Sequence, residues 1–216
     1  MQKIVHRSLI MFYVSGRQTA TANTEIATVC PPVADRIPVL RGLSYTAGST
    51  AHNAYVMGAR GLTTLVSFTD AAGTTLELAK IDPGQTTAGE FEALAAGDWV
   101  CYETRYGDIE VREIASVSGS TITVAAVDRQ VDVGARVWAF YNDGDLNSVQ
   151  LPLAASTQVD FENLMIPGGV NRQQGKEHVV TGVGMPLLVV VDNATNAGVL
   201  NYASFEWMES SHEYYS

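Results

Sequence analysis

The stretch from Leu94 to Tyr141, "LAAGDWVCYETRYGDIEVREIASVSGSTITVAAVDRQVDVGARVWAFY", limits the fold more than any other part of the chain. Val100, Tyr102 and Thr104 fall on every second position up to a turn at Tyr106-Gly107-Asp108. Val137, Ala139 and Tyr141 repeat the spacing near the end. A period of two is the side-chain alternation of a β-strand, not of a helix. Between these runs lie "SGS" (118–120) and the turn residues Gly97-Asp98 and Gly134-Ala135. Four or five short strands with tight turns predict a small β-barrel. Ile114 comes three residues after Val111, so the period slips by one. An extra residue at Arg112-Glu113 is what a β-bulge would supply there.

The remaining segments also read as strands. "LIMFYV" (9–14) is apolar and aromatic. "LSYTAGSTAHNAYVM" (43–57) predicts two strands around Ala47-Gly48-Ser49, and "TTLVSFTDAAGTTLELA" (63–79) predicts a hairpin in which Thr64, Val66 and Phe68 alternate. "LLVVV" (187–191) is apolar without alternation, which predicts burial on both faces. Residues 25–43 differ, because Pro31, Pro32 and Pro38 argue against a central strand or a helix. They predict an extended arm along a surface. "AGEFEALAAG" (88–97) has room for one or two helical turns. The fold class expected is all-β: a small β-barrel over 80–141, inserted into a second β-sandwich-like unit from 43–79 plus 142–216. An extended N-terminal strand and arm over 1–42 would precede them.

The chain has 216 residues, enough for a sizeable core. Its 13 Lys and Arg against 23 Asp and Glu give a net charge of −10, the wrong sign for a surface that neutralises phosphates, so nucleic acid is not expected as a partner. No apolar run reaches the ~18 residues of a membrane helix. Lys3 and Arg7 before "SLIMFYV" (8–14) and "ATA" (20–22) after it imitate a secretory signal, but Arg17 interrupts the pattern, so 8–14 is expected to be a strand. Cys30 and Cys101 are 71 residues apart, with no CxxC and no HxxxH, which predicts two separate thiols and no metal site.

Ser49, Thr50 and His52 are candidates for nucleophilic chemistry. A nucleophilic serine needs a base, an orienting group and an oxyanion hole, and G-x-S-x-G is absent here. Thr50 and His52 would share a strand face, and a turn beside a polar strand explains them without catalysis. The pairs Glu90/Glu92, Glu110/Glu113 and Asp143/Asp145 could serve glycoside hydrolysis at the right separation. "NDGD" (142–145) is a fragment of a calcium loop without its remainder, "GVGMP" (182–186) lacks a third glycine, "GKEH" (175–178) lacks the upstream glycine of a phosphate loop, and "NAT" (193–195) fits a glycosylation sequon. No catalytic residue, cofactor or metal is expected. Candidate partner contacts are Pro31, Pro32 and Pro38 on the arm, with Trp207, Tyr214 and Tyr215 near the end.

"LSYTAGSTAHNAYVM", "GLTTL", "DPG" (82–84), "LAAGDWVCYE" and "SVSGSTITVAAVDRQVDVGARVWAFY" resemble structural proteins of tailed bacteriophages. The pattern is similar to small β-barrel modules of capsid decoration (cement) proteins and of some tail components, and it covers about a third of the chain. The resemblance implies a virion structural protein and not an enzyme. It would be a homo-oligomer that binds the major capsid protein and copies of itself, located in the virion after assembly in the host cytoplasm. The alternatives are a tail, neck or baseplate subunit, a carbohydrate-binding β module using Trp99, Trp138 or Trp207, and a hydrolase centred on His52 or the acid pairs.

Overall fold

A computed structural model describes residues 11–20, 26–85, 90–142, 148–162, 166–167, 170–171, 178–179, 183–191 and 198–209. Every regular element in it is a strand. The front sheet contains β1 (Met11–Val14), β2 (Gln18–Ala20), β4 (Arg36–Thr46), β15 (Gln158–Phe161), β16 (Ile166–Pro167) and β20 (Gly198–Glu209). The central sheet runs in the order β14 (Ser148–Leu153), β5 (His52–Gly58), β19 (Leu187–Val191), β3 (Ile26–Cys30). The barrel sheet runs β7 (Thr75–Glu77), β12 (Thr121–Val124), β11 (Ile109–Ser118), β10 (Trp99–Glu103), β13 (Arg136–Phe140), β6 (Gly61–Thr64), with β8 (Gly84–Gln85) and β9 (Phe91–Glu92) appended. A two-stranded ribbon pairs β17 (Val170–Asn171) with β18 (His178–Val179).

Side-chain alternation stacks these sheets. On β19, Leu187, Val189 and Val191 pack against Leu43, Tyr45, Ala203 and Phe205 of the front sheet. Leu188 and Val190, on the opposite face, pack with Trp99, Cys101, Trp138 and Phe140 of the barrel sheet. The unbroken "LLVVV" therefore lies in a sheet covered on both sides, as its pattern predicts. The other face of the barrel strands encloses Val100, Tyr102, Ile114, Ile122, Val137, Ala139 and Tyr141. Three sheets thus hold two apolar layers between them, and the third curls around a core of its own.

The barrel closes through a bridge between Leu65 and Leu78, with Ala79 N–H donating to Thr64 O (2.8 Å) and Val66 N–H to Glu77 O (2.9 Å). It therefore takes in residues 61–79, which the sequence pattern groups with the sandwich-like unit. The expected bulge at Arg112-Glu113 is absent, since Trp99 to Glu103 pair without a break with Glu113 to Ile109. The apparent slip is a change of face. Ile109 and Val111 join the layer against the central sheet, while Ile114 enters the barrel. The real irregularity lies between Ile114 and Ser116, against β12.

The proline-rich segment is also corrected. It is not a surface arm but two strands in different sheets. β4 lies inside the front sheet, flanked along its length by β20 and on its other side by β15 and β16. Pro31 and Pro32 fall in the link between β3 and β4. That link ends in a turn in which Arg36 N–H donates to Val33 O and Asp35 takes a positive φ of 57°. Pro38 sits near the start of β4, where only β20 flanks the strand among the described residues, so its missing N–H breaks no second ladder. Nor is there a helix in the described part of 88–97. Within its described part, Phe91–Glu92 form β9, Leu94 enters the barrel core, and Ala96-Gly97 turn.

Candidate functional site

Among the described residues, those singled out for chemistry stand apart from one another. His52 is buried at the start of β5, its ring edge-on to Tyr45 at 6.1 Å, while Ser49 and Thr50 are exposed in the preceding turn. Thr50 lies outside the strand, so it shares no strand face with His52. Glu110 and Glu113 are three apart on one strand and so point to opposite faces. Glu110 accepts from Tyr102 Oη–H (3.0 Å) and Asp128 N–H (3.0 Å) and pairs with Arg112 (3.3 Å). Burial, with Glu110 beside it, pushes the Tyr102 phenol well above its usual range. Glu92 is paired with Arg60 at 2.6 Å. Asp143 and Asp145, the sequon at 193–195 and most of "GKEH" lie outside the described residues. Cys30 and Cys101 are both free and buried, on different sheets. Among the described residues no group of three or more His, Cys, Asp or Glu is placed to hold a metal ion.

Trp207, offered by sequence as an exposed contact, is buried. It packs in the layer between front and central sheets, edge-on to Tyr13 at 6.2 Å, and its Nε1–H donates to Pro31 O (3.1 Å). Two of the predicted contact residues thus meet, but as a clasp inside the fold. Trp99 and Trp138 lie in the layer between the central sheet and the barrel. None of the three indoles offers an open face to a sugar. Pro32 stands half-buried in the same link, and Tyr214 and Tyr215 lie outside the described residues.

A more suggestive arrangement occurs at one end of the barrel. Thr69 and Val131 exchange backbone bonds of 3.0 and 2.9 Å. Leu65 N–H donates to Ala135 O, Gly134 N–H to Leu65 O, and Arg105 N–H to Gln130 O. These bonds draw segments 65–69, 104–106 and 130–135 side by side. The segments expose Val66 (46%), Phe68 (44%), Tyr106 (72%) and Val133 (62%), four large apolar side chains at one end of the barrel, while Val14, Leu62, Phe91, Val183 and Met208 are exposed elsewhere. Around them stand ion pairs, Arg129 with Asp108 and Arg105 with Asp132 (3.9 Å), and the Arg129 guanidinium lies 5.7 Å from the Tyr106 ring centre. An apolar centre within a charged border is the layout of a protein-binding patch. The alternation of Thr64, Val66 and Phe68 in the sequence predicts a hairpin strand without saying which face is exposed. The inward residues are Leu65 and Thr69, and the signal that marks the rim is three apolar-bearing turns brought to one end by barrel closure.

The opposite end of the barrel is tightly fixed. Tyr141 Oη–H donates to Glu92 O (2.8 Å) and accepts from Gly84 N–H (3.0 Å), with the Arg60 guanidinium 4.2 Å from the ring centre. Asp98, from the "GD" turn, accepts from Ala95 N–H and Asn142 N–H at 2.8 Å each. Gly97 and Gly134 take φ values of +91° and +83°, which explains the glycine in both turns. The motif residues of 94–141 thus build the barrel, whereas those of 43–57 lie in β4 and β5 of the other two sheets. Elsewhere, an open cleft of about 830 Å³ between β11 and β3 is lined by Ala27, Gly97, Ala115, Arg112 and Glu113, and Arg112 is already committed to Glu110 and Asp128.

Fold and surface together define an all-β chain of three packed sheets with an exposed apolar rim on the barrel. No protein-family model matches the chain, and no curated protein matches it. Among solved structures it is similar to VP17, a capsid protein of bacteriophage P23-77, at 12% identity over 91% of this chain and 98% of that one, with a TM-score of 0.18. It is also similar to the VP2 subviral particle of infectious bursal disease virus, at 11% identity over 92% of this chain and 41% of that one, with a TM-score of 0.13. At these scores a shared fold is not demonstrated.

Proposed function

We propose that this chain is a virion structural protein, a capsid decoration or cement protein that binds and stabilises the shell of a tailed phage. It works by contact and not by turnover. The observation that carries this reading is the exposed apolar rim, Val66, Phe68, Tyr106 and Val133, at the end of the barrel where backbone hydrogen bonds tie segments 65–69, 104–106 and 130–135 together. The resemblance of residues 43–66 and 94–141 to virion barrel modules supplies the context. Apolar and aromatic side chains at the centre of a patch carry most of the energy of a protein–protein contact. The partners are the major capsid protein and further copies of this chain.

The test is quantitative mass spectrometry of purified particles from the source, giving copies of this chain per copy of the main shell protein. A ratio comparable to the shell protein supports decoration. A small minority ratio moves the chain to the tail, neck or baseplate, and absence from particles overturns the reading. Particles carrying Phe68→Ser and Tyr106→Ser together are expected to lose most of the bound chain while the free protein keeps its melting temperature.

A further inference from the structure

The outer face of the front sheet carries a second arrangement, unconnected with the barrel rim. In the long pairing of β4 with β20, Leu200 opposes Tyr45 and Tyr202 opposes Ser44, so Asn201 is an extra residue. A bulge of this kind re-aims side chains. Leu200 stays in the apolar layer, while Asn201 reaches the hydroxyls of β4, donating from Nδ2 to Ser44 Oγ (3.2 Å) and Thr46 Oγ1 (3.0 Å). On β15, Gln158 Nε2–H donates to Asp160 Oδ2 (3.0 Å) and lies 3.5 Å from Ser44 Oγ. Both amide nitrogens are therefore occupied within the face. The amide oxygens of Asn201 and Gln158, with the exposed carboxylate of Asp160, form a row of acceptors. Hydrogen bonds from Ser44 and then Gln158 hold the Asp160 carboxyl below its usual range, so it stays ionised.

Beside this row lies an aromatic ring. A Cβ at Gly42 would stand 3.5 Å from Tyr202 Cε2 and 2.9 Å from Ser204 Oγ, so the glycine lets the half-buried Tyr202 ring settle close to the sheet. A flat ring bordered by amides, hydroxyls and one carboxylate matches a pyranose, which has an apolar C–H face and hydroxyl donors on its edge. A single carboxylate is too little charge for a divalent cation, and a row of acceptors repels an anion. We propose that the outer face of β4, β15 and β20 binds a neutral saccharide, with Tyr202 under the sugar ring and Asp160, Asn201 and Gln158 accepting its hydroxyl protons.

The test applies the full chain to an array of immobilised neutral hexose and N-acetylhexosamine oligosaccharides, followed by calorimetry with the free oligosaccharide retained most strongly. The expected result is retention of at least one neutral glycan. Tyr202→Ala should cost about tenfold in affinity, roughly what losing 1.4 kcal/mol gives. Asp160→Asn preserves the shape of an exposed side chain, so it guards against a folding artefact, and it should also weaken binding. Asp70→Asn, the same change of charge in an exposed turn of the barrel, should leave binding unchanged. Retention of no neutral glycan, a preference for anionic glycans, or equal binding by the Tyr202 and Asp160 variants would each overturn the proposal.

Discussion

Replacing Leu188 with alanine should unfold the whole protein more readily, not merely loosen one sheet. Leu188 is fully buried and lies in the layer that joins the central sheet to Trp99, Cys101, Trp138 and Phe140 of the barrel. The change removes three carbon atoms, worth about 2.4 kcal/mol at ~0.8 kcal/mol each. The cavity left behind raises the cost toward about 5 kcal/mol if the layer cannot collapse. For a chain of this size each kcal/mol lowers the melting temperature by roughly 2–4 °C, so the expected fall is about 5–20 °C. Two probes follow denaturation. Tryptophan fluorescence of a Trp207→Phe background reports on Trp99 and Trp138 in the joining layer. Hydrogen exchange of the 198–209 peptide reports on the front sheet, two layers away. Both should shift together, because one continuous packing links them. A loss under 1 kcal/mol, or a shift of fluorescence that leaves 198–209 protected as before, would refute the idea that this layer welds the molecule.

Tyr141→Phe should cost about 1–3 kcal/mol, because it strips Gly84 N–H of its buried acceptor, and exchange at the Gly84 amide should rise with it. Tyr45→Phe should be neutral or slightly stabilising in chemical denaturation, since the buried Tyr45 hydroxyl has no hydrogen-bond partner among the described residues. Gly198→Ala should be strongly destabilising, because its Cβ would fall 1.7 Å from that same hydroxyl; a wild-type melting curve would disprove the packing described there. The hydrogen bond from Arg136 holds the Glu103 carboxyl below its usual range. Its contribution is complete above the unfolded value near 4.3 and is lost as pH falls through the lower folded value. Glu103→Gln should therefore remove about 0.2–1 kcal/mol at pH 7 and less below pH 4, as read from denaturation midpoints across that range.

Much of this fold was legible in the residues. The alternation of Val100 with Tyr102 and of Val137 with Ala139 gave strands whose even and odd positions serve different cores, and the unbroken Leu187–Val191 run gave a sheet covered twice. What the sequence could not give was which partner each face meets. Ile114 reads as a slipped period only if the strand has one apolar face. Once both faces are covered, Val111 and Ile114 are each in phase with their own layer. Pro38 argued against an interior strand because periodicity says nothing about which stretch of a strand is flanked on both sides. The surface was the least legible part. Val66, Phe68, Tyr106 and Val133 come from three separate turns, and Asn201 joins Ser44 through a bulge. Both groupings follow from strand closure and register, which depend on residues far away in the chain.

The register between β1 and β20 places Met11 opposite Trp207. The front sheet thus takes its outer and inner strands from opposite ends of the described chain, while every strand of the barrel lies between residues 61 and 140. During synthesis the barrel strands can all have left the ribosome while β1, β2 and β4 still lack the strand that joins them. Those early strands, apolar and without their pairing neighbour, must wait for about sixty more residues to be added. Late assembly of this sheet, with its long loop closures, is the step expected to set the folding rate and to create the need for a chaperone.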